Sequence, residues 1–369
     1  MFTFVLRKEK MDSLTQIVLG AATGEVVLGK KIGNKAMLFG AIAGTIPDLD
    51  VLEGLVHQTV SHRGFTHSFL FAFLMAPIFA WLMTKIFRDR KLGKIPPENL
   101  SLWQKFQKRF LRASGATYWD WTKLYFWSFI THILLDVQTI YGTELLWPIK
   151  SRLTTANVFV ADPIYTVPFL ILLIVAMFYR RNSKTRNNLT KIAIGISTSY
   201  LLLTFVFKGI TYLKFTKNLQ EQNIQYSRIE TGPTPLNSIL WFANVETDSA
   251  YYTGNYSLLD KNDAIAFRKM DKDFQLRKKL EPFKNFEKLN HFSKNWFLLS
   301  KKDDLNYKYE NIRFGGPIND KDEAEYVFSY KLKINGGELE YKEDFNREKM
   351  KGKAGEIFGK LWSRILGNK

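Results

Sequence analysis

Long apolar stretches separated by short polar segments dominate the first 213 residues of the chain. The stretches cover residues 13–29, 34–46, 67–87, 118–137, 163–180 and 191–213. Several approach the ~20 residues that a helix needs to cross a bilayer, and the second is short enough to be a half-helix. The pattern predicts a mostly α polytopic membrane domain, with about five to six helices, over residues 1–213.

Two pairs of glycines lie in the first two apolar stretches, each pair spaced four residues apart. They are Gly20 and Gly24 in the first stretch, and Gly40 and Gly44 in the second. Small residues at this spacing let two membrane helices approach each other closely. We therefore expect the first two helices to pack side by side.

The pattern changes after residue 213. Short segments rich in aromatic and β-branched residues predict strands there, and glycine pairs predict turns. The strands are Tyr251–Leu259, Asn295–Leu299 and Tyr326–Ile334, and the turns are Gly315-Gly316 and Gly336-Gly337. Residues 346–369 are basic and amphipathic, which predicts a terminal helix. Residues 214–369 are thus predicted to form a smaller β-rich (α+β) soluble domain with an amphipathic C-terminal helix.

The formal net charge of +18 is unevenly distributed. Much of the excess positive charge lies in the segments that follow the first, third and fifth stretches. If successive helices cross a membrane in alternating directions, these segments lie on the same side of it. The residues are Lys30, Lys31, Lys35, Arg88, Arg90, Lys91, Lys94, Lys105, Lys108, Arg109, Arg112, Arg180, Arg181, Lys184, Arg186 and Lys191. Since cytoplasmic loops are enriched in lysine and arginine, we expect a bacterial inner (plasma) membrane protein whose C-terminal domain is extracytoplasmic. Membrane lipids, and not nucleic acid, are then the expected partners.

The chain has no cysteine, which excludes disulfides and thiolate zinc sites. Any bound metal must therefore use histidine, carboxylate or water. Candidate ligands occur at the ends of the apolar stretches. Pro47 ends the second stretch and is followed by Asp48 and Asp50. His62 and His67 precede the third stretch, and their spacing of five places His62 in a loop and His67 at the helix start.

The fourth stretch ends with His132 and Asp136, whose i, i+4 spacing puts both side chains on one helical face. Asp162, just before the fifth stretch, is a further candidate. With alternating spans, all of these groups fall on the side opposite the basic loops. This convergence predicts one metal site, with His62, His67, His132 and Asp136 as ligands. Asp48 and Asp50 would be ligands, a metal bridge or the general base.

Mixed imidazole and carboxylate ligands suit a divalent metal ion, Zn²⁺ or Mn²⁺ above all. Such an ion activates water and polarises an ester or phosphoryl oxygen. Arg63 could clamp an anionic group of the substrate, or it could order its loop by pairing with Asp48 or Asp50. The position at a membrane face predicts a lipid or lipid-linked ester as substrate, with phosphoesters favoured by Arg63.

At these motifs the sequence resembles the YdjM-like family of membrane-bound metal-dependent hydrolases. The matching elements are Met11-Asp-Ser-Leu-Thr15, Pro47-Asp-Leu-Asp50, His62-Arg-Gly-Phe-Thr-His-Ser68, His132-Ile-Leu-Leu-Asp136 with Thr139 and Gly142, Leu145-Leu-Trp-Pro148, and Pro233, Pro235, Asn237 and Trp241. The resemblance implies hydrolase chemistry at a metal. One departure is Gln16, where the family often has a histidine, and Glu25 could compensate for it.

Two other classes of function would use the same residues. An ion-binding transport protein would place ionisable groups at the middle of the membrane, whereas here they lie at the ends of the stretches. A non-enzymatic membrane scaffold would hold the metal only for structure. An open coordination position distinguishes an enzyme from such a scaffold.

Overall fold

The computed structural model describes residues 8–50, 63–87, 116–303, 305–315, 326, 328–344 and 354–368. A helical part comes first and two antiparallel sheets follow, as the sequence predicts. The helices of the first part are α1 (Lys8–Ile32), α2 (Asn34–Thr45), α3 (Phe69–Phe87), α4 (Tyr118–Gln138), α5 (Pro163–Met177) and α6 (Lys184–Glu221). Each of the six predicted apolar stretches is therefore helical.

Helices α1 and α2 pack closely through the four predicted glycines. A Cβ atom on Gly24 would overlap the carbonyl oxygen of Ala36, and one on Gly40 would overlap that of Gly20. Glycine is thus required at both positions by the helix spacing. The contact fixes the direction in which α2 ends, and the 3₁₀ turn Pro47–Asp50 follows that end almost directly.

Within the described residues, two helices are long and apolar enough to cross a bilayer, over Phe69–Ile86 in α3 and Lys184–Glu221 in α6. Helix α5 is apolar but has 15 residues, and α2 has 12. Both fall short of the ~20 residues of a perpendicular span. Helix α4 has the length, but it carries Asp120, Lys123, His132 and Asp136. The number of membrane spans therefore stays a prediction. The six helices of the first part do agree with the predicted number of about five to six.

Helix α6 continues to Glu221, beyond the predicted domain boundary at residue 213. The last turns of α6 extend beyond the other helices and pack on the first sheet. There Phe215 and Leu219 are buried against Trp241, Ala243 and Val245. The same helix thus belongs to both parts of the molecule.

The C-terminal part contains two four-stranded antiparallel sheets with strands in sequence order. The first has β1 (Arg228–Pro233), β2 (Leu240–Glu246), β3 (Ala250–Ser257) and β4 (Arg268–Asp271), and the second has β5 (Phe297–Lys301), β6 (Asn306–Asn311), β7 (Phe328–Asn335) and β8 (Glu338–Glu343). Helices α7 (Phe274–Leu280) and α8 (Lys284–Ser293) connect them. Gly336 and Gly337, at φ 57° and 83°, form the predicted turn between β7 and β8.

The predicted C-terminal helix is present as α9 (Ala354–Ile365). Leu361 and Ile365 pack on Leu240 of β2, and Arg364 forms a two-pronged ion pair with Asp260. These contacts fix one face of the helix on the first sheet.

The C-terminal part docks on one end of the helical part. Arg313 Nη2 donates a 2.6 Å hydrogen bond to the carbonyl of Ile140, just beyond the end of α4. The rings of Tyr141 and Phe314 lie 4.7 Å apart, and Ser238 Oγ donates to Asp162 at the start of α5. The sheets therefore lie at the end of the helical part where α2 and α4 finish and α3 begins.

Candidate metal site

Four predicted ligands meet at the end of the helical part that faces the sheets. Asp48 comes from the 3₁₀ turn after α2, and His67 comes from a second 3₁₀ turn, Phe65–His67, before α3. His132 and Asp136 lie one turn apart on α4, on one face as their spacing predicts. One ligand atom from each residue lies within 4.8 Å of the others, so the four can hold a single metal ion.

Both histidines direct Nε2 towards the same two carboxylate oxygens. His67 Nε2 is 3.1 Å from Asp48 Oδ1 and 3.3 Å from Asp136 Oδ2. His132 Nε2 is 3.5 Å from each of these oxygens. Ligand atoms about 2.0–2.1 Å from a tetrahedral Zn²⁺ lie about 3.3 Å apart, so the observed separations suit a tetrahedral ion.

The tautomer of His132 is fixed by the backbone of α2. His132 Nδ1 is 2.7 Å from the carbonyl oxygen of Gly44, which can only accept a hydrogen bond. Nδ1 therefore carries the proton, and Nε2 presents its lone pair to the cluster. The close packing of α1 on α2 positions this carbonyl, because Gly44 lies against the backbone of Gln16 and Gly20.

His67 is held between two acids on opposite edges of its ring. Asp48 lies at Nε2, while Asp50 Oδ2 is 3.5 Å from Nδ1 and accepts a 2.7 Å hydrogen bond from Thr66 Oγ1. A 3₁₀ turn has three residues per turn, so residues two apart point in different directions. This explains why Asp48 faces the ligand atoms and Asp50 faces the outer edge of the imidazole.

Asp136 is also held from outside the cluster. Gln16 Nε2 donates a 2.9 Å hydrogen bond to Asp136 Oδ1, which leaves Oδ2 directed at the histidines. Arg63 Nε lies 3.5 Å from Asp136 Oδ2, and its Nη1 donates to Thr139 Oγ1. Gln16 thus orients a candidate ligand through its amide nitrogen. The Arg63 side chain pairs with Asp136, and the Arg63 backbone N–H donates a 3.2 Å hydrogen bond to Asp50 Oδ2, which orders the loop before α3.

Hydrogen bonding at the cluster fits a metal ion. Among the described residues, His132 Nε2 and Asp136 Oδ2, which both face the centre of the cluster, are buried atoms without a hydrogen-bond partner. Buried polar atoms are costly when unpartnered, and a bound cation would provide the missing partner. Two imidazoles and carboxylates without a thiolate suit Zn²⁺ or Mn²⁺.

The electrostatics of the two 3₁₀ turns point the same way. Burial raises the pKa of Asp48, but the imidazoles of His132 and His67 outweigh this effect and hold it well below its usual value. Burial lowers the pKa of His67, but hydrogen bonds with Asp48 and Asp50 outweigh it and raise the pKa. The carboxylates therefore favour positive charge at the centre of the cluster, which a divalent cation would supply.

Asp162 and Glu25 have other partners than the cluster. Asp162 caps α5 through the backbone N–H of Ile164, and it accepts hydrogen bonds from Tyr200 and Ser238. Glu25 forms a bidentate ion pair with Arg186. His62, which the sequence predicts as a ligand, lies outside the described residues.

A model of the YdjM inner membrane protein family matches residues 11–211, more than half of the 369-residue chain. The chain belongs to the YdjM family. The match includes all four residues of the cluster and ends within α6, so the two sheets lie beyond it. The family description also supports a location in the membrane. Searches of curated proteins and of solved structures each found no match.

The sequence motif near Trp241 has a structural explanation at the junction of the two parts. Asn237 Oδ1 accepts hydrogen bonds from the backbone N–H groups of Ile239 and Leu240, which closes the turn between β1 and β2. Ser238 in this turn contacts Asp162. The motif therefore stabilises the turn that docks the first sheet on the helical part.

Proposed function

We propose that this YdjM-family protein is a membrane-bound metal-dependent hydrolase that acts on an ester or phosphoester, with a lipid-linked phosphoester as the favoured substrate. The observation that carries the proposal is the cluster of two imidazoles and two carboxylates at tetrahedral spacing, with an arginine beside it. Zn²⁺ or Mn²⁺ held there would activate water and polarise the substrate oxygen.

Burial distinguishes the roles of the four residues. His67, His132 and Asp136 are almost completely buried, with exposures of 0%, 1% and 1%, whereas Asp48 is 15% exposed. Three buried protein ligands and one position for water or substrate form the usual arrangement of a catalytic zinc site. We assign His67, His132 and Asp136 as the ligands. Asp48, at the exposed edge, is then free to act as the general base.

Asp48 Oδ2 is the atom assigned to accept the proton of the attacking water. It has no hydrogen-bond partner among the described residues, so its lone pairs are available to the proton of a water molecule. Arg63 is assigned to the developing negative charge on the substrate. Its guanidinium is 3.5 Å from Asp136 Oδ2 and lies over the ring of Tyr141, so it is held beside the ligands.

The Asp48→Asn variant tests this assignment. We expect it to keep its metal and its thermal stability, because asparagine has the same shape, and to lose about 10²–10⁴-fold in activity. Detergent-purified protein reconstituted with Zn²⁺ or Mn²⁺ would be assayed on ester and phosphoester panels, lipid phosphoesters first. Asp263→Asn, on the surface of the C-terminal part, is the matched control and should retain full activity. Full activity in Asp48→Asn would contradict the assigned base. Metal-bound wild-type protein that hydrolyses nothing on the panels would favour a structural metal.

We further propose that the cluster and the sheets face the extracytoplasmic side, because the sequence is rich in lysine and arginine directly after α1, α3 and α5. A reporter that is active only in the cytoplasm should be active when fused after Asn182 and inactive when fused after Asn223. The reverse pattern would place the cluster at the cytoplasmic face.

A further inference from the structure

The apolar face of helix α9 is wider than its contact with the first sheet. Leu361 and Ile365 are buried on the sheet, whereas Phe358, Trp362 and Leu366 are 50%, 54% and 49% exposed. Residues four apart lie on one face of a helix, so the three exposed residues form a stripe beside the buried pair. We call Phe358, Trp362 and Leu366 the exposed stripe.

The exposed stripe has the composition of a helix that lies in a membrane interface. The rings of Phe358 and Trp362 stack with their centres 6.5 Å apart, and Leu366 extends the helical turn by donating its backbone N–H to the carbonyl of Trp362. Lys360 and Glu356 form a 3.0 Å ion pair elsewhere on the helix. Interfacial helices combine such a charged side with a side rich in tryptophan, phenylalanine and leucine.

Polar contacts with the first sheet fix the direction of the stripe. The ion pair of Arg364 with Asp260 has distances of 2.5 and 2.7 Å, and Ser257 Oγ donates a 2.6 Å hydrogen bond to the carbonyl of Ile365. A Cβ atom on Gly367 would overlap the carbonyl oxygen of Leu259, so the chain after the helix also lies against the sheet. Helix α9 is therefore a docked element of the C-terminal part.

Helix α9 is docked at the end of the first sheet that faces the helical part. It packs on Leu240, the first residue of β2, which pairs with Ser257, the last residue of β3. Ser238, two residues before Leu240, donates a 2.7 Å hydrogen bond to Asp162 at the start of α5. The helix thus lies close to the level at which α5 begins.

The exposed apolar surface of the helical part begins at the same level. Ile164, two residues after Asp162 on α5, is exposed. Leu213 of α6 is exposed as well, and the next residue, Lys214, pairs with Asp263 in the segment after β3 that also anchors α9. In a protein of a membrane family such apolar surfaces face lipid, and tryptophan is enriched where they meet the headgroups.

The charge of the C-terminal segment complements anionic lipid headgroups. Residues 346–369 contain seven lysines and arginines but only two glutamates. Anionic lipids attract basic segments that lie next to a membrane. The combination of an aromatic stripe with an excess of positive charge therefore favours a bilayer surface as the partner of α9.

We propose that α9 is an interfacial anchor whose exposed stripe inserts among the lipids of an anionic bilayer surface, on the side of the metal cluster. The proposal does not depend on the hydrolase reaction. It gives the C-terminal part a second contact with the membrane besides α6. The sheets are thereby held against the surface from which a lipid-borne substrate would reach the cluster.

Two single-cysteine variants of the full-length protein test the anchor, because the chain itself has no cysteine. Leu366→Cys places a fluorescent label in the exposed stripe, and Ser363→Cys places it on another exposed side of the same helix as the matched control. Both proteins are reconstituted into nanodiscs of phosphatidylcholine and phosphatidylglycerol. We expect lipids with a spin-labelled acyl chain to quench the label at position 366, and iodide in solution to quench the label at position 363.

Further variants in the Leu366→Cys protein connect the quenching to the stripe. Phe358→Ser and Trp362→Ser, made together, should abolish quenching by the spin-labelled lipid. Phe274→Ser on α7 removes an aromatic ring that is 54% exposed and should leave the quenching unchanged. Quenching should also decrease in nanodiscs of phosphatidylcholine alone, because the attraction of the basic segment is lost.

A label at position 366 that iodide quenches as strongly as the label at position 363 would overturn the anchor and leave the stripe for a protein partner. Equal quenching of both labels by the spin-labelled lipid would also overturn it, since the stripe would not be the inserted side. Lipid quenching that is the same with and without phosphatidylglycerol would contradict the anionic surface.

Discussion

His132→Ala and His67→Ala are expected to lose nearly all bound metal and, with it, all hydrolytic activity. Each change removes an imidazole whose Nε2 lies 3.1–3.5 Å from the candidate carboxylate ligands. The loss of affinity should exceed the 10–100-fold that follows the loss of a group supporting a ligand from outside. Elemental analysis of protein purified in parallel, with chromatographic evidence of folding, measures the effect.

Asp50→Asn provides a graded comparison within the same experiment. Asp50 contacts the outer edge of His67 and Thr66, so its removal should weaken metal binding by about 10–100-fold without abolishing it. His291→Ala, on the exposed surface of α8, should keep the wild-type metal content. Asp136→Asn distinguishes the loss of a ligand from misfolding. Asparagine keeps the shape of the side chain, and the variant should still lose metal. Unchanged metal in both His67→Ala and His132→Ala would contradict the ligand assignment.

Gly24→Ala and Gly40→Ala are expected to destabilise the helical part severely. The added methyl group would overlap the carbonyl oxygen of Ala36 in the first variant and that of Gly20 in the second. Both obstacles are backbone atoms, so α1 and α2 must separate. We expect a loss above the 1–3 kcal/mol that is typical of overpacked cores. The measurement is thermal unfolding of metal-free protein in detergent.

Gly195→Ala is the matched control because a Cβ atom at that helical position of α6 meets nothing within 4 Å. Its stability should be unchanged or slightly higher, since alanine favours helix over glycine. The glycine variants that remain folded should also bind metal more weakly, because α2 carries the Gly44 carbonyl that orients His132. Equal stability of Gly24→Ala and Gly195→Ala would show that the close helix contact is not needed.

Much of the fold and three of the site's motifs could be predicted from the sequence. Apolar stretches of helical length give the six helices, and the i, i+4 spacing of His132 and Asp136 gives one face of α4. The alternating direction of successive helices brings His67 and the acids after Pro47 to the same end. These predictions depend on local periodicity and on counting, both of which the sequence contains.

The separate positions and contacts of the individual residues in and around the site could not be predicted from the sequence. Asp48 and Asp50 are equivalent as sequence features, and a 3₁₀ turn alone separates their directions. Gln16 was recognisable as a departure from the family pattern, but its contact with Asp136 depends on how α1 packs against α4. Glu25 could not be assigned to its ion pair with Arg186, because 160 residues of intervening chain determine where α6 lies.

The docking of the C-terminal part on the helical part had no sequence signal. Lys294 and Arg313 lie in short connections among many other basic residues, and no motif marks them. Their positions follow from the docking of the sheets on Ile140, Tyr141 and Arg152, which is a long-range packing event.

X-ray absorption spectroscopy of the zinc-loaded protein tests the central claim most directly. The account predicts nitrogen and oxygen ligands at about 2.0–2.1 Å, with outer-shell scattering from two imidazoles. One imidazole should disappear from the spectrum of any residual metal in His132→Ala. Failure of the purified protein to bind zinc, or a zinc shell without imidazole, would contradict a metal centre built from His67, His132 and Asp136.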